Sequence, residues 1–168
     1  MEQPFSELVA KLHEDVSGDI PMVSHIVADA NMNRSVRLAA ENFQIPLVHL
    51  FPIAACALLV LKHYRVFIEK YLKPSNDESS DIGGDCSDGL IDWIPGMNNM
   101  RLCDLPFLSA VEDENKSLLS FTLDLLDRTG KAEATIIHTF EELEPVALHE
   151  LSSIIPNVYA IGPLHLLL

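Results

Sequence analysis

Ser24-His25-Ile26-Val27-Ala28-Asp29-Ala30 is the stretch on which the fold turns. Its run of β-branched and apolar residues reads as a buried strand, and a carboxylate, Asp29, stands where that strand ends. Val36, Ala39, Ala40 and Phe43 then recur at i, i+3, i+4 and i+7, the spacing of one helix face, with Asn31 or Asn33 as the expected cap. Ile45 to Phe51 returns as a second strand, closed by Pro52. Strand, helix and strand in so few residues predict a βαβ unit, with parallel strands and a right-handed crossover. The turn after Asp29 then lies at the carboxyl edge of the sheet, where open parallel sheets bind ligands. Asp29 is accordingly the first candidate functional residue. The plainer reading of an Asp at such a turn is a cap or turn former.

Working outward, Pro4 to Leu12 reads as an amphipathic helix with Phe5, Leu8, Val9 and Leu12 on one face. Ile53 to Leu72 reads as one long helix, apolar nearly all round in its first half, as expected deep in a core or beside an apolar cavity. Residues 73–89, with Asp77, Glu78, Asp81, Asp85 and Asp88, form an acidic surface loop whose spacing fits neither a nucleophile elbow nor a calcium loop. Leu90 to Met97 is a compact apolar segment ending in a Pro-Gly turn. A helix is expected from about Glu112 to Thr129, capped by Gly130, and a third strand from Ala134 to Thr139. Thr139-Phe140-Glu141-Glu142 has capping-box spacing and is expected to open a helix running to about Ser153, with Pro145 in its first turns. Val158 to Ile161 is the fourth strand, ended by Gly162-Pro163. The fold class is α/β: a parallel sheet of about four strands with flanking helices.

Composition narrows the partners. The 168 residues suffice for one core, and 48% hydrophobic against 21% charged residues is globular rather than disordered. Eleven Lys and Arg against 25 Asp and Glu leave a formal charge of -14, which repels nucleic acid and anionic membranes. The longest apolar run, Ile53 to Leu61, is too short to span a bilayer. Cys56, Cys86 and Cys103 are odd in number and widely spaced, without CxxC or a histidine at ligand spacing. They read as reduced thiols of a cytoplasmic protein, with no metal site.

Five segments together resemble one family in order and spacing. They are Val27-Ala28-Asp29-Ala30, Asp92-Trp93-Ile94-Pro95-Gly96-Met97, Arg101-Leu102-Cys103-Asp104-Leu105-Pro106, Thr139-Phe140-Glu141-Glu142-Leu143-Glu144 and Val158-Tyr159-Ala160-Ile161-Gly162-Pro163-Leu164. The chain resembles the plant UDP-dependent glycosyltransferases of family 1, most closely the branch acting on terpenoid and cyanohydrin-type alcohols. The resemblance implies a GT-B fold of two Rossmann-like domains, with this chain an internal piece, residues 1–168, of the first, acceptor-side domain. It implies transfer of a sugar, glucose above all, from UDP-sugar to a hydroxyl of a small hydrophobic acceptor. A histidine takes the hydroxyl proton, an Asp orients that histidine, and the oxygen displaces UDP from the anomeric carbon with inversion. UDP-sugar is a co-substrate, and no cofactor or metal is implied. By motif position Asp29 is the orienting Asp, and Asn31 and Leu61 hold positions that face the acceptor. Core packing is the alternative for Leu61, and a helix cap for Asn31.

The departures shape the expectation as much. The family's base histidine and its UDP-sugar domain have no counterpart in this sequence, and Pro52 stands where relatives often place a threonine that reaches the donor sugar. His25 lies on the strand of Asp29, but four residues at about 3.3 Å each leave roughly 13 Å between their backbones. His49 belongs to the neighbouring strand, and His13, His63, His138, His149 and His165 have no motif support. The expectation is a chain without transferase activity of its own, and the alternative is a non-catalytic small-molecule-binding or interaction module. The strand bearing Asp29 is expected to leave an open apolar edge that invites self-association.

Overall fold

The computed structural model describes residues 2–14, 21–32, 34–67, 69, 90–101, 104–105, 123–127 and 131–164. In chain order the elements are α1 (Glu2–Glu14), β1 (Ile26–Asp29), α2 (Arg34–Phe43), β2 (Leu47–Phe51), α3 (Ala55–Lys62), α4 (Tyr64–Phe67), β3 (Ala134–Ile137), α5 (Pro145–Ile154) and β4 (Val158–Ala160). Residues 123–127 form a further helical stretch. The acidic 73–89 loop, Cys86, Cys103, the Asn33 cap, most of the 112–129 helix with its Gly130 cap, and His165 lie outside the described residues.

The four strands make one sheet in the order β1-β2-β3-β4, every pair parallel. Ile26 pairs with Leu47, Ala28 with His49, His49 with Thr135 and Phe51 with Ile137. Alternation along each strand therefore puts Ile26, Ala28, Leu47, His49, Phe51, Thr135 and Ile137 on one face. That face is covered. Ile26 packs with Val9 of α1 and with Val36, Ala39 and Ala40 of α2, while Phe51 and Ile137 pack with Leu58 and Leu59 of α3 and Leu148 and Leu151 of α5. Strands advancing one step at a time in the same direction, joined by right-handed crossovers, require their helices to lie on a single face. The opposite face shows Val27 at 60% and Tyr159 at 56% exposure, with Val48, Leu50, Ala134 and Ile136 only half-buried.

Local chemistry explains where elements stop. Helix α2 ends with Gln44 at φ 55° and the Ile45 N–H bonded to the Ala40 carbonyl at 2.9 Å, a closure that usually employs glycine at the left-handed position. Pro95-Gly96 turns the apolar 90–97 segment as expected: Gly96 has φ 81°, and the Met97 N–H reaches the Ile94 carbonyl at 3.1 Å. Ile91, Ile94 and Met97 are thereby driven into the larger core.

Three expectations change. The long helix from Ile53 is broken at His63, whose N–H is shared between the Leu59 and Val60 carbonyls and whose ring Nδ1 lies 2.9 Å from the Leu59 carbonyl, competing with the main-chain ladder. The capping box does not form: residues 141–143 are a turn, and α5 begins at Pro145, where the missing N–H leaves nothing unsatisfied. On α1, Val9 is buried and Phe5 partly so, but Leu8 and Leu12 remain exposed.

Candidate functional site

All four strands end at the same edge, and the sheet register brings Asp29, Pro52, His138-Thr139 and Gly162-Pro163 there together. Asp29 closes β1, and the chain turns at once: the Met32 N–H bonds to the Asp29 carbonyl at 2.8 Å. Its side chain stays inside that turn. Oδ1 accepts the Asn31 N–H at 2.8 Å and the Asn31 Nδ2 at 3.1 Å, an Asx turn in which the two sequence candidates serve each other. Asn31 is exposed and precedes α2 by three residues.

No histidine is hydrogen-bonded to that carboxylate among the described residues. The His25 ring meets the Ser24 hydroxyl at 3.2 Å. His49 is 7% exposed and packs edge-on against Phe51. It shares with Asp29 only a cavity of about 10 Å³, room for a single water. Pro52 is exposed at the end of β2. Leu61, 4% exposed, packs with Tyr64 and Leu126.

Glu144 was not among the sequence candidates, and it is the most connected side chain at this edge. Its carboxylate accepts the Ala55 N–H at 2.9 Å, the Cys56 N–H at 2.8 Å and the Thr139 hydroxyl. It thereby satisfies the free N–H groups at the start of α3 from 88 and 89 residues away. Burial alone would raise its pKa, but the hydrogen bonds from Thr139, Cys56 and Ala55 outweigh it and hold the carboxyl below the usual range. Burial, with the facing Glu144 charge, pushes the Cys56 thiol up to about 11, so it is an inert thiol rather than a nucleophile. Gly162 backs the cluster: a Cβ there would stand 2.9 Å from the Thr139 carbonyl oxygen. The sequence signal for Glu144 was a glutamate directly before an N1 proline, but its partner on α3 is invisible locally.

A larger open groove, about 350 Å³, lies at the opposite, amino-terminal end of the sheet. Arg37, Glu41, His49, Lys131 and Glu133 give it both signs of charge without one pole, and Arg37 is already paired with Glu41 at 2.7 Å. Among the described residues no group of three His, Cys, Asp or Glu could hold a metal, and no helix is long and apolar enough to cross a membrane.

With a parallel sheet, one-sided helices and a polar carboxyl edge in place, the relatives are decisive. The chain is 38% identical over 164 residues to 7-deoxyloganetin glucosyltransferase of Catharanthus roseus, covering 98% of this chain and 33% of that one. It is 39% identical over 163 residues to (R)-mandelonitrile beta-glucosyltransferase of Prunus dulcis, covering 97% and 33%. Both relatives are plant glucosyltransferases, and this chain matches them along nearly its whole length. Its fold agrees: Phytolacca americana UGT2, solved with UDP-2fluoro-glucose and pterostilbene, superposes with a TM-score of 0.64 at 24% identity over 94% of this chain and 33% of that one. The α/β sheet is thus part of a GT-B glycosyltransferase fold. The chain spans about a third of the length of the relatives it matches. No protein-family model matches it.

Proposed function

We propose that this glycosyltransferase chain is the acceptor-side part of an enzyme that moves glucose from UDP-glucose to a hydroxyl of a small hydrophobic alcohol with inversion, and that on its own it transfers no sugar. The observation behind this reading is the carboxyl edge: four parallel strands end at one rim, where β1 delivers Asp29 and Asn31, in a chain 38% identical to 7-deoxyloganetin glucosyltransferase and 39% identical to (R)-mandelonitrile beta-glucosyltransferase. Asp29 is the orienting Asp of a His-Asp pair, Asn31 and Leu61 belong to the acceptor side, and Pro52 offers the donor sugar no hydrogen-bond donor.

Deprotonating an alcohol needs a base within about 3 Å of its hydroxyl, and the base needs a partner to offset the proton it gains. Here no histidine among the described residues is hydrogen-bonded to the Asp29 carboxylate, and its Oδ1 is engaged by Asn31. In this reading the chain alone is a binding element of a cytoplasmic protein, supplying an acceptor rim and no proton transfer. Incubation of the purified chain with UDP-glucose and 7-deoxyloganetin, (R)-mandelonitrile or pterostilbene, followed by chromatography, tests this. No glycoside above blank is expected, and product would overturn the claim of inactivity.

The second reading, a non-catalytic interaction module, draws on the edge position of β1 and on the exposed Val27 beside it. Parallel sheets are rarely left with an open edge, and a copy of this chain or a relative adds to it in this reading.

A further inference from the structure

The carboxyl edge is built from loops distant in sequence, and the Glu144 carboxylate bonds across them. Turn 52–54 between β2 and α3 has no side-chain cap of its own; Ala54 is the N-cap residue of α3 and makes no capping hydrogen bond. The N–H groups of Ala55 and Cys56, which a local cap would satisfy, point instead to the two oxygens of Glu144. One of those oxygens also takes the Thr139 hydroxyl, just past the end of β3. Thr139 in turn lies beneath Gly162, past the end of β4, at a distance that admits no side chain. One carboxylate thus ties together the exits of β2 and β3, with that of β4 packed against its partner.

We infer that Glu144 is a positioning residue for the acceptor rim, its carboxylate clamping the β2–α3 turn to the β3–α5 turn so that the exposed Pro52 and the backbone at His138-Thr139 are held in fixed places beside a ligand. This rests on reading the carboxyl edge as the acceptor side. A glutamine at this site can keep one acceptor oxygen, but its NH₂ would face an N–H donor, so one of the two backbone bonds must be lost. An aspartate keeps both oxygens on a side chain one methylene shorter.

The test uses the whole chain, isotopically labelled, with amide exchange and chemical shifts followed by NMR. In the native protein the Ala55 and Cys56 amides should titrate together with one carboxylate whose midpoint lies below that of a free glutamate. In Glu144→Gln that titration should vanish and exchange at Ala55 and Cys56 should accelerate by at least tenfold, while Leu59 to Leu61 stay within twofold. Glu144→Asp should recover part of the protection. Equal acceleration along all of α3, or none at its start, overturns the clamp. If Glu144→Gln does not fold, Thr139→Val serves: losing the hydroxyl donor should raise the same midpoint, and an unmoved midpoint overturns the clamp. Pterostilbene is the ligand probe. Shifts at residues 52–56 and 138–139, weakened at least threefold in Glu144→Gln or Thr139→Val, support the positioning role, whereas unchanged affinity in both overturns it. Shifts confined to other surfaces overturn the acceptor-side reading and the positioning role built on it, while the exchange data still decide the clamp.

Discussion

At the scale of single residues, two carboxylates share one edge and do different work. Asp29 holds its own turn through Asn31, so Asp29→Ala is expected to cost about 1 kcal/mol, the loss of a turn hydrogen bond, and Asp29→Asn much less because the acceptor oxygen remains. Urea denaturation distinguishes them, and an Asp29→Ala variant as stable as the native chain contradicts the Asx turn. Glu144 reaches across the fold. Its hydrogen bonds hold its folded pKa below the unfolded value, so its contribution is fully present above the unfolded pKa and is lost as pH falls through the folded one. Glu144→Gln should therefore cost about 1–3 kcal/mol at pH 7, with the gap to the native chain narrowing below about pH 4. A gap independent of pH contradicts a charged clamp. Asp29 was legible because strand periodicity and a motif both end on it. Glu144 was not, because the capping-box spacing pointed to Glu142 and nothing near position 144 announces a partner at 55 and 56.

At the scale of elements, the strands were readable from β-branched runs, each trimmed by one to three residues where pairing stops. Helix limits were harder, since they are set by competition the pattern does not display. His63 breaks the Ile53 helix by bonding its ring to the Leu59 carbonyl, and Pro145 moves the start of α5 past the capping box. Gln44 shows the same limit at the end of α2. It sits at φ 55° with the Ile45 N–H closing on Ala40, a backbone that penalises any side chain with a Cβ. Gln44→Gly is expected to raise stability by about 0.5–1 kcal/mol, the relief of left-handed strain less the added freedom of the unfolded chain. Equilibrium denaturation checks the sign, and a destabilised glycine variant contradicts the geometry assigned to this turn.

At the scale of the whole molecule, the sheet is covered on one face by α2, α3 and α5, and β1 stands at its edge with Val27 in solvent. Such a sheet is expected to self-associate. The formal charge of -14 opposes this, so oligomers should grow as salt screens the repulsion; a monomer by light scattering at low and high salt alike contradicts an available edge. The parallel order was legible from the alternation of strand and helix patterns, but the placement of α2, α3 and α5 on the same face is seen only in three dimensions. Among the described residues a ligand could use the polar carboxyl rim or the larger groove at the other end of the sheet. The acceptor-side account stands or falls on which is used, and an amide chemical-shift map of the native chain with pterostilbene decides it. The account predicts shifts at residues 29–31, 52–56 and 138–139; shifts confined to Arg37, Gln44 and Lys131 would contradict it.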